Sequence, residues 1–329
     1  MDVNQSGEGR MKRDARYLAV AAGIVCLLAA PGIWAGVLGS WRAAAPMPLE
    51  RTEVATVALG GKIYVIGGFK MFFVGGVTDA VQAYDPALDR WEDRASLPQA
   101  LHHVAAAALD GKLYVVGGYR HVWPWQPVAS LWRYDPSTNR WQAAKPMPTA
   151  RGALAVAVLN GKLYAVGGMA DQVLHANEEY NPATDTWRKR APMPTGRDHL
   201  AATALGGKLY AVGGRVGSMD RNLAVTEVYD PVVDRWEARR PMSTARGGIA
   251  AVTLGEWLFV FGGEESARTL AQTETYDPST DHWTGMASMP TARHGLGAAT
   301  VGGKIYVIGG GVKPGASKSG LNEVFDPGL

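Results

Sequence analysis

The sequence predicts an all-β fold, a six-bladed β-propeller whose ring is closed by an N-terminal strand and which is preceded by one N-terminal apolar helix. Two observations carry the propeller. A Gly-Gly pair ends an apolar run six times, at Gly67-Gly68, Gly117-Gly118, Gly167-Gly168, Gly213-Gly214, Gly262-Gly263 and Gly309-Gly310, and the first glycines lie 50, 50, 46, 49 and 47 residues apart. A period near fifty residues is that of a propeller blade. Each pair is also followed by Tyr-Asp-Pro or a close variant and, in all repeats but the last, by Trp, with six residues from Asp to Trp in Asp85–Trp91, Asp135–Trp141, Asp230–Trp236 and Asp277–Trp283.

The helix rests on a third observation. Arg10, Lys12, Arg13 and Arg16 precede residues 17–38, a run without a charge. As a helix this run would be roughly 33 Å long, enough to cross a bilayer. Basic residues ahead of it predict a cytoplasmic N-region over 1–16, a signal anchor or signal peptide over 17–39 and an exported propeller over 40–329. The propeller is then membrane-anchored, or secreted or periplasmic, on the extracytoplasmic side. Tyr17 and Trp34 fall where interfacial aromatics stand at the two ends of a span.

Within a repeat the strands read in order. Residues 151–159 (RGALAVAVL) alternate small and branched apolar side chains, as an innermost strand between neighbouring blades requires. Asn160-Gly161 is a two-residue hairpin signal, and residues 163–166 (LYAV) form a second strand, apolar on both faces. A variable loop follows the Gly-Gly. A third strand ends near Tyr180-Asn181-Pro182, where Asn181 replaces the usual Asp, and Trp187 opens an outer fourth strand. The last repeat reaches Phe325-Asp326-Pro327 without a Trp, while residues 41–48 (WRAAAPMP) form a fourth strand with no first three. Pairing the two completes the sixth blade and removes an open edge.

These six copies resemble the kelch repeat family over residues 41–329. The resemblance implies a six- or seven-bladed propeller and little about activity, because the family holds protein-binding adaptors, a copper oxidase, bacterial sialic acid epimerases and many exported proteins. A copper site like that of the kelch-fold oxidase needs a cysteine cross-linked to tyrosine. The sole cysteine, Cys26, lies ahead of the propeller, so that chemistry is excluded, as are disulfides within the blades. A net charge of +3 with both signs in every repeat leaves no basic face for nucleic acid.

Function is expected on one face. Successive strands are antiparallel, so the start of each first strand and the end of each second share a side. The positions just before the innermost strands are Arg51, Leu101, Arg151, Arg197, Arg246 and Arg293. Five arginines there read either as a positive funnel for acidic ligands, which the resemblance to kelch adaptors supports, or as struts bonded to backbone carbonyls of their own blades. The loops after the first two Gly-Gly pairs carry Phe72, Phe73, Trp123 and Trp125, either an exposed contact for a partner or two loops packed on each other.

Two residues beyond the arginine position stand Glu53, His103 and His199; one beyond stand His102, Asp198 and His294. Strand alternation lets only alternate members converge, with Glu53 and His103 the best pair for proton transfer. The sequence predicts no catalytic constellation, metal site or cofactor. The function it predicts is a non-catalytic propeller that binds a protein or glycan through the arginine and aromatic face. The alternative is an epimerase or mutarotase of acidic sugars of the sialic acid type.

Overall fold

The computed structural model describes residues 39–73 and 76–329. They form six four-stranded antiparallel sheets arranged as propeller blades. Blade one runs from the inner strand Ala55–Leu59 through Lys62–Ile66 and Val81–Asp85 to the outer strand Arg90–Arg94, and the next four repeat this order. Blade six takes three strands, Gly297–Val301, Lys304–Ile308 and Asn322–Asp326, from the end of the chain and its fourth, Ser40–Ala43, from the start. Trp41 pairs with Phe325 and Arg42 with Val324, as expected for the closing strand.

The expectation of a preceding apolar helix is corrected. The fold is all-β: the only helical segment among the described residues is the single 3₁₀ turn Met219–Arg221, and no helix among them is long and apolar enough to cross a membrane. Residues 1–16 and 17–38, to which the basic N-region and the apolar span are assigned, lie outside the described residues.

The core is six wedges, each between two neighbouring blades. One wedge joins Tyr64, Ile66 and Ala83 of blade one to Leu101, Leu113 and Tyr134 of blade two, and the same set recurs around the ring to Ile308 and Val324 of blade six against Ile63 and Tyr84 of blade one. The second strands are buried on both faces because each one supplies two wedges.

The repeated motif residues are joints between blades. Every motif Trp donates its indole N–H to a carbonyl of the preceding blade, from Trp91 to Ala45 at 2.8 Å round to Trp41 to Ala287 at 2.9 Å. The Gly-Gly pair is a second joint. The N–H of Gly118 donates to the carbonyl of Arg151 in the next blade at 2.9 Å, and a Cβ on Gly117 would stand 2.5 Å from that same oxygen. At φ +62 and +103 these positions also need glycine's backbone freedom.

The inner strands surround a central channel of about 300 Å³ lined by short side chains such as Thr56, Val156, Ala202, Thr253 and Thr300. The polar chemistry lies where those strands begin.

Candidate functional site at the channel mouth

The five arginines do not form a funnel. Arg51, Arg151, Arg197, Arg246 and Arg293 are completely buried, and each guanidinium is bonded within its own blade. Arg151 donates to Glu178 at 2.5 Å and to the carbonyl of Ala165 at 3.0 Å; Arg246 donates to Glu274 at 2.7 Å and to the carbonyl of Gly262 at 2.9 Å. Arg197 pairs with Glu227 and Arg293 with Glu323. Arg51 meets the amide of Gln82 at 3.1 Å instead of a carboxylate. The strut reading holds, and the reason is geometric: the side chain turns back under its own Gly-Gly turn to satisfy carbonyls that the sheet leaves open.

Blade two shows the same logic by substitution. At the arginine position it has Leu101, and at the position of Glu178 it has Trp132; both belong to one apolar cluster. A buried ion pair has been exchanged for an apolar pair. This accounts for the break in the arginine series.

The mouth itself is built two residues further on. Glu53, His103, Ala153, His199, Gly248 and Gly295 all have φ between +51 and +68. Their backbones form a closed ring of hydrogen bonds: His103 N–H to Glu53 O, Ala153 to His103, His199 to Ala153, Gly248 to His199, Gly295 to Gly248 and Glu53 to Gly295, at 2.8–3.1 Å. This collar encloses a cavity of about 90 Å³. Glycine suits such a conformation best, and non-glycine residues held there cost about 1–3 kcal/mol each and collect at functional sites. Blades five and six have glycine; blades one, two and four carry ionisable side chains.

The left-handed turn also overturns the alternation argument. It swings the collar residues inward beside their predecessors, so His102, Asp198 and His294 join Glu53, His103 and His199 in one cluster. His102 Nδ1 lies 2.5 Å from His103 Nδ1, and His103 Nε2 lies 3.2 Å from Glu53 Oε2. His199 Nδ1 bonds to Asp198, and His294 Nε2 stands 3.6 Å from Glu53 and 3.5 Å from Glu264.

Two further members, Arg215 and Glu264, lie outside the sequence expectations. Arg215 donates to His199 Nε2 at 2.8 Å and to Glu264 at 2.9 Å, and reaches Asp198 at 3.3 Å. The available signal is their position, immediately after a Gly-Gly pair, where the six blades place Phe69, Tyr119, Met169, Arg215, Glu264 and Gly311. Each of these six bridges to the residue just after the arginine position, as Asp198 does to Arg215 and His102 to Tyr119.

Burial sets the charges. Glu53 is pushed up to about 8 by desolvation and by the neighbouring carboxylate of Glu264, with Arg215 opposing. Desolvation, with a contribution from His199, holds His102 down to about 3. The same burial, reinforced by His102 and His199, holds His103 well below the ordinary histidine range. His199 and His294 are lowered as well, again chiefly by burial. At neutral pH the four rings are uncharged.

Of the four loop aromatics, two pack against their own blades and two stay outside. Trp125 folds inward, with ring centroids 4.7 Å from His103, 5.1 Å from His102 and 5.1 Å from Tyr119, and its indole N–H donates to Val122 O. Phe72 packs on Phe69 at 5.2 Å. Phe73 and Trp123 remain outside, 77% and 85% exposed. Both line a groove of about 590 Å³ between the loops of blades one and two, together with Phe72, Val77, Ala100, Arg120, His121 and Val122.

Fold and mouth together define a kelch-type propeller with a titratable collar. The KLHDC2/KLHL20/DRC7 Kelch-repeats domain matches residues 39–214 and 199–325; the chain belongs to the kelch repeat family. No curated protein matches the sequence. Among solved structures the chain is similar to that of YjhT, at 18% identity with a TM-score of 0.71, covering 85% of this chain and 96% of that one. That likeness is one of fold.

Proposed function

We propose that the protein is a non-catalytic recognition propeller that grips a protein or glycan in the groove between the loops of blades one and two. The observation that carries this reading is the exposed pair Phe73 and Trp123, both of which line the groove. Large aromatics left in solvent beside a groove of ligand size, on a fold whose core is otherwise filled, favour a contact surface. The basic residues ahead of the uncharged run at 17–38 support an extracytoplasmic setting for that surface.

The acidic-sugar alternative needs an arginine free to hold the substrate carboxylate. The five ring arginines are sealed in their blades, and Arg215 is engaged with His199, Asp198 and Glu264. Glu53 and His103 supply an acid–base pair without that anchor, so the binding reading is preferred.

The test compares a Phe73→Ala/Trp123→Ala double variant with Val232→Ala/Val233→Ala, which alters exposed side chains on the opposite face. A partner recovered from native extracts by the full-length protein is expected to be lost in the loop variant and kept in the other. Retention by the loop variant would refute the groove.

A further inference from the structure

The collar histidines are oriented by relays that begin outside the cavity. His102 Nε2 lies 3.0 Å from the carbonyl of His121, which only accepts, so His102 carries its proton on Nε2 and presents a lone pair on Nδ1. His103 Nδ1, 2.5 Å away, must therefore carry the proton and donate. The Nε2 lone pair of His103 is left facing Glu53 Oε2 across 3.2 Å. On the other side Asp198 fixes the proton of His199 on Nδ1, and Gly217 N–H donates to the second oxygen of Asp198 at 2.9 Å. His199 Nε2 is thereby also a lone pair, which accepts from Arg215 at 2.8 Å. A carbonyl or carboxylate behind each ring is the arrangement that orients metal-ligating histidines.

We propose that Glu53, His103 and His199 bind one divalent transition cation of the zinc or cobalt type at the channel mouth. The three side chains offer one oxygen and two nitrogens, all within 4.8 Å of one another, the donor set of two histidines and a carboxylate used by zinc and ferrous sites. The 3.2 Å between His103 and Glu53 already matches the edge of about 3.4 Å that a tetrahedron with metal–ligand bonds of about 2.0–2.1 Å requires. Ala153 stands between the two histidines on the collar and lets their rings approach to a 4.8 Å centroid separation. Gly248 and Gly295 add no side chain on the remaining side, which leaves room for water or a ligand at an open coordination position.

Closing the third edge turns the His199 ring inward and releases Arg215 from Nε2. The guanidinium has other partners, since in the structure it also donates to Glu264 at 2.9 Å and Asp198 at 3.3 Å. Glu264 and Asp198 set two carboxylates against this one guanidinium, and Glu53 faces the same space as a ligand, so the surroundings favour a cation. The site also explains why three blades hold a carboxylate or imidazole in a backbone conformation that two others fill with glycine. It revises the expectation that the propeller has no metal site, and it stands independently of the aromatic groove.

The test is titration of the full-length protein with Co²⁺, followed by visible absorption and by equilibrium dialysis, with Zn²⁺ as competitor. One Co²⁺ per chain is expected, displaced by Zn²⁺. Binding should weaken by at least about tenfold in Glu53→Gln and His199→Asn and stay unchanged in His282→Ala, an exposed histidine on an outer strand. X-ray absorption of the zinc-loaded wild type, which needs no variant to fold, should show two imidazoles in the first shell. Absence of saturable binding, wild-type affinity in both ligand variants, fewer than two imidazoles, or a sulfur ligand from Cys26 would each overturn the proposal.

Discussion

Arg246 donates to Glu274 at 2.7 Å with both side chains sealed from solvent. The pair is one of four that fix a ring arginine against a carboxylate of its own blade, with Arg151–Glu178, Arg197–Glu227 and Arg293–Glu323. Removing one partner strands a buried charge. Arg246→Ala should cost about 3–5 kcal/mol in urea unfolding. The double variant Arg246→Met/Glu274→Leu, which follows the apolar pairing of Leu101 and Trp132 in blade two, should recover most of that loss. If Arg246→Ala unfolds like wild type, the arginine is not a strut.

The blades are also latched through acids that follow the Tyr-Asp-Pro turns. Tyr84, Tyr180, Tyr229 and Tyr276 donate to Asp89, Asp185, Asp234 and Asp281, and each Asp also accepts a backbone N–H from the preceding blade. These hydrogen bonds lower the four carboxyls below the usual aspartate value; the tyrosine bond is the larger cause at Asp89 and Asp234, the backbone bond at Asp185 and Asp281. A folded-state pKa below the unfolded one contributes stability that is present above about pH 3.9 and is lost as pH falls through the folded value. Blade two does the same work with Asn139, which does not titrate. Exchanging the four aspartates for asparagine should flatten the decline of thermal stability below pH 4; an unchanged acid limb would contradict the latch.

The collar makes a steric prediction. A Cβ on Gly248 meets nothing closer than 3.4 Å, so Gly248→Ala should cost only the left-handed backbone, about 1–2 kcal/mol. A Cβ on Gly295 would stand 2.4 Å from Glu53 Oε1, so Gly295→Ala should cost more and displace Glu53. Urea denaturation of the two variants orders them. Equal losses would mean that the collar is looser than its ring of hydrogen bonds implies.

With its arginines occupied, the mouth should not process acidic sugars. Anomer exchange of sialic acid, followed by NMR, should run at the same rate with and without the protein. Acceleration that disappears in Glu53→Gln would restore the enzyme reading.

The architecture was legible because each repeated residue performs the same joint six times. Gly-Gly spacing marks the blade, the motif Trp marks the neighbour contact, and Trp41 without its own first three strands marks the seam with Phe325. The arginines were ambiguous for a physical reason: a repeated charged residue looks the same whether it faces a channel or its own carbonyls, and only the fold shows the guanidinium turning inward. The mouth was half legible. Glu53, His103 and His199 stand at one repeat position, but strand alternation fails where the backbone turns left-handed, so the approach of His102, Asp198 and His294 was hidden. Arg215 and Glu264 emerge only when the residue after each Gly-Gly is compared across blades.

The claim that function lies on the loop face between blades one and two is tested most directly by site-specific photo-crosslinking. A photoreactive phenylalanine analogue placed at position 123 of the full-length protein should capture a discrete partner in native cells, and the same probe at position 232 should capture none. A discrete adduct from position 232 with none from position 123 would contradict it.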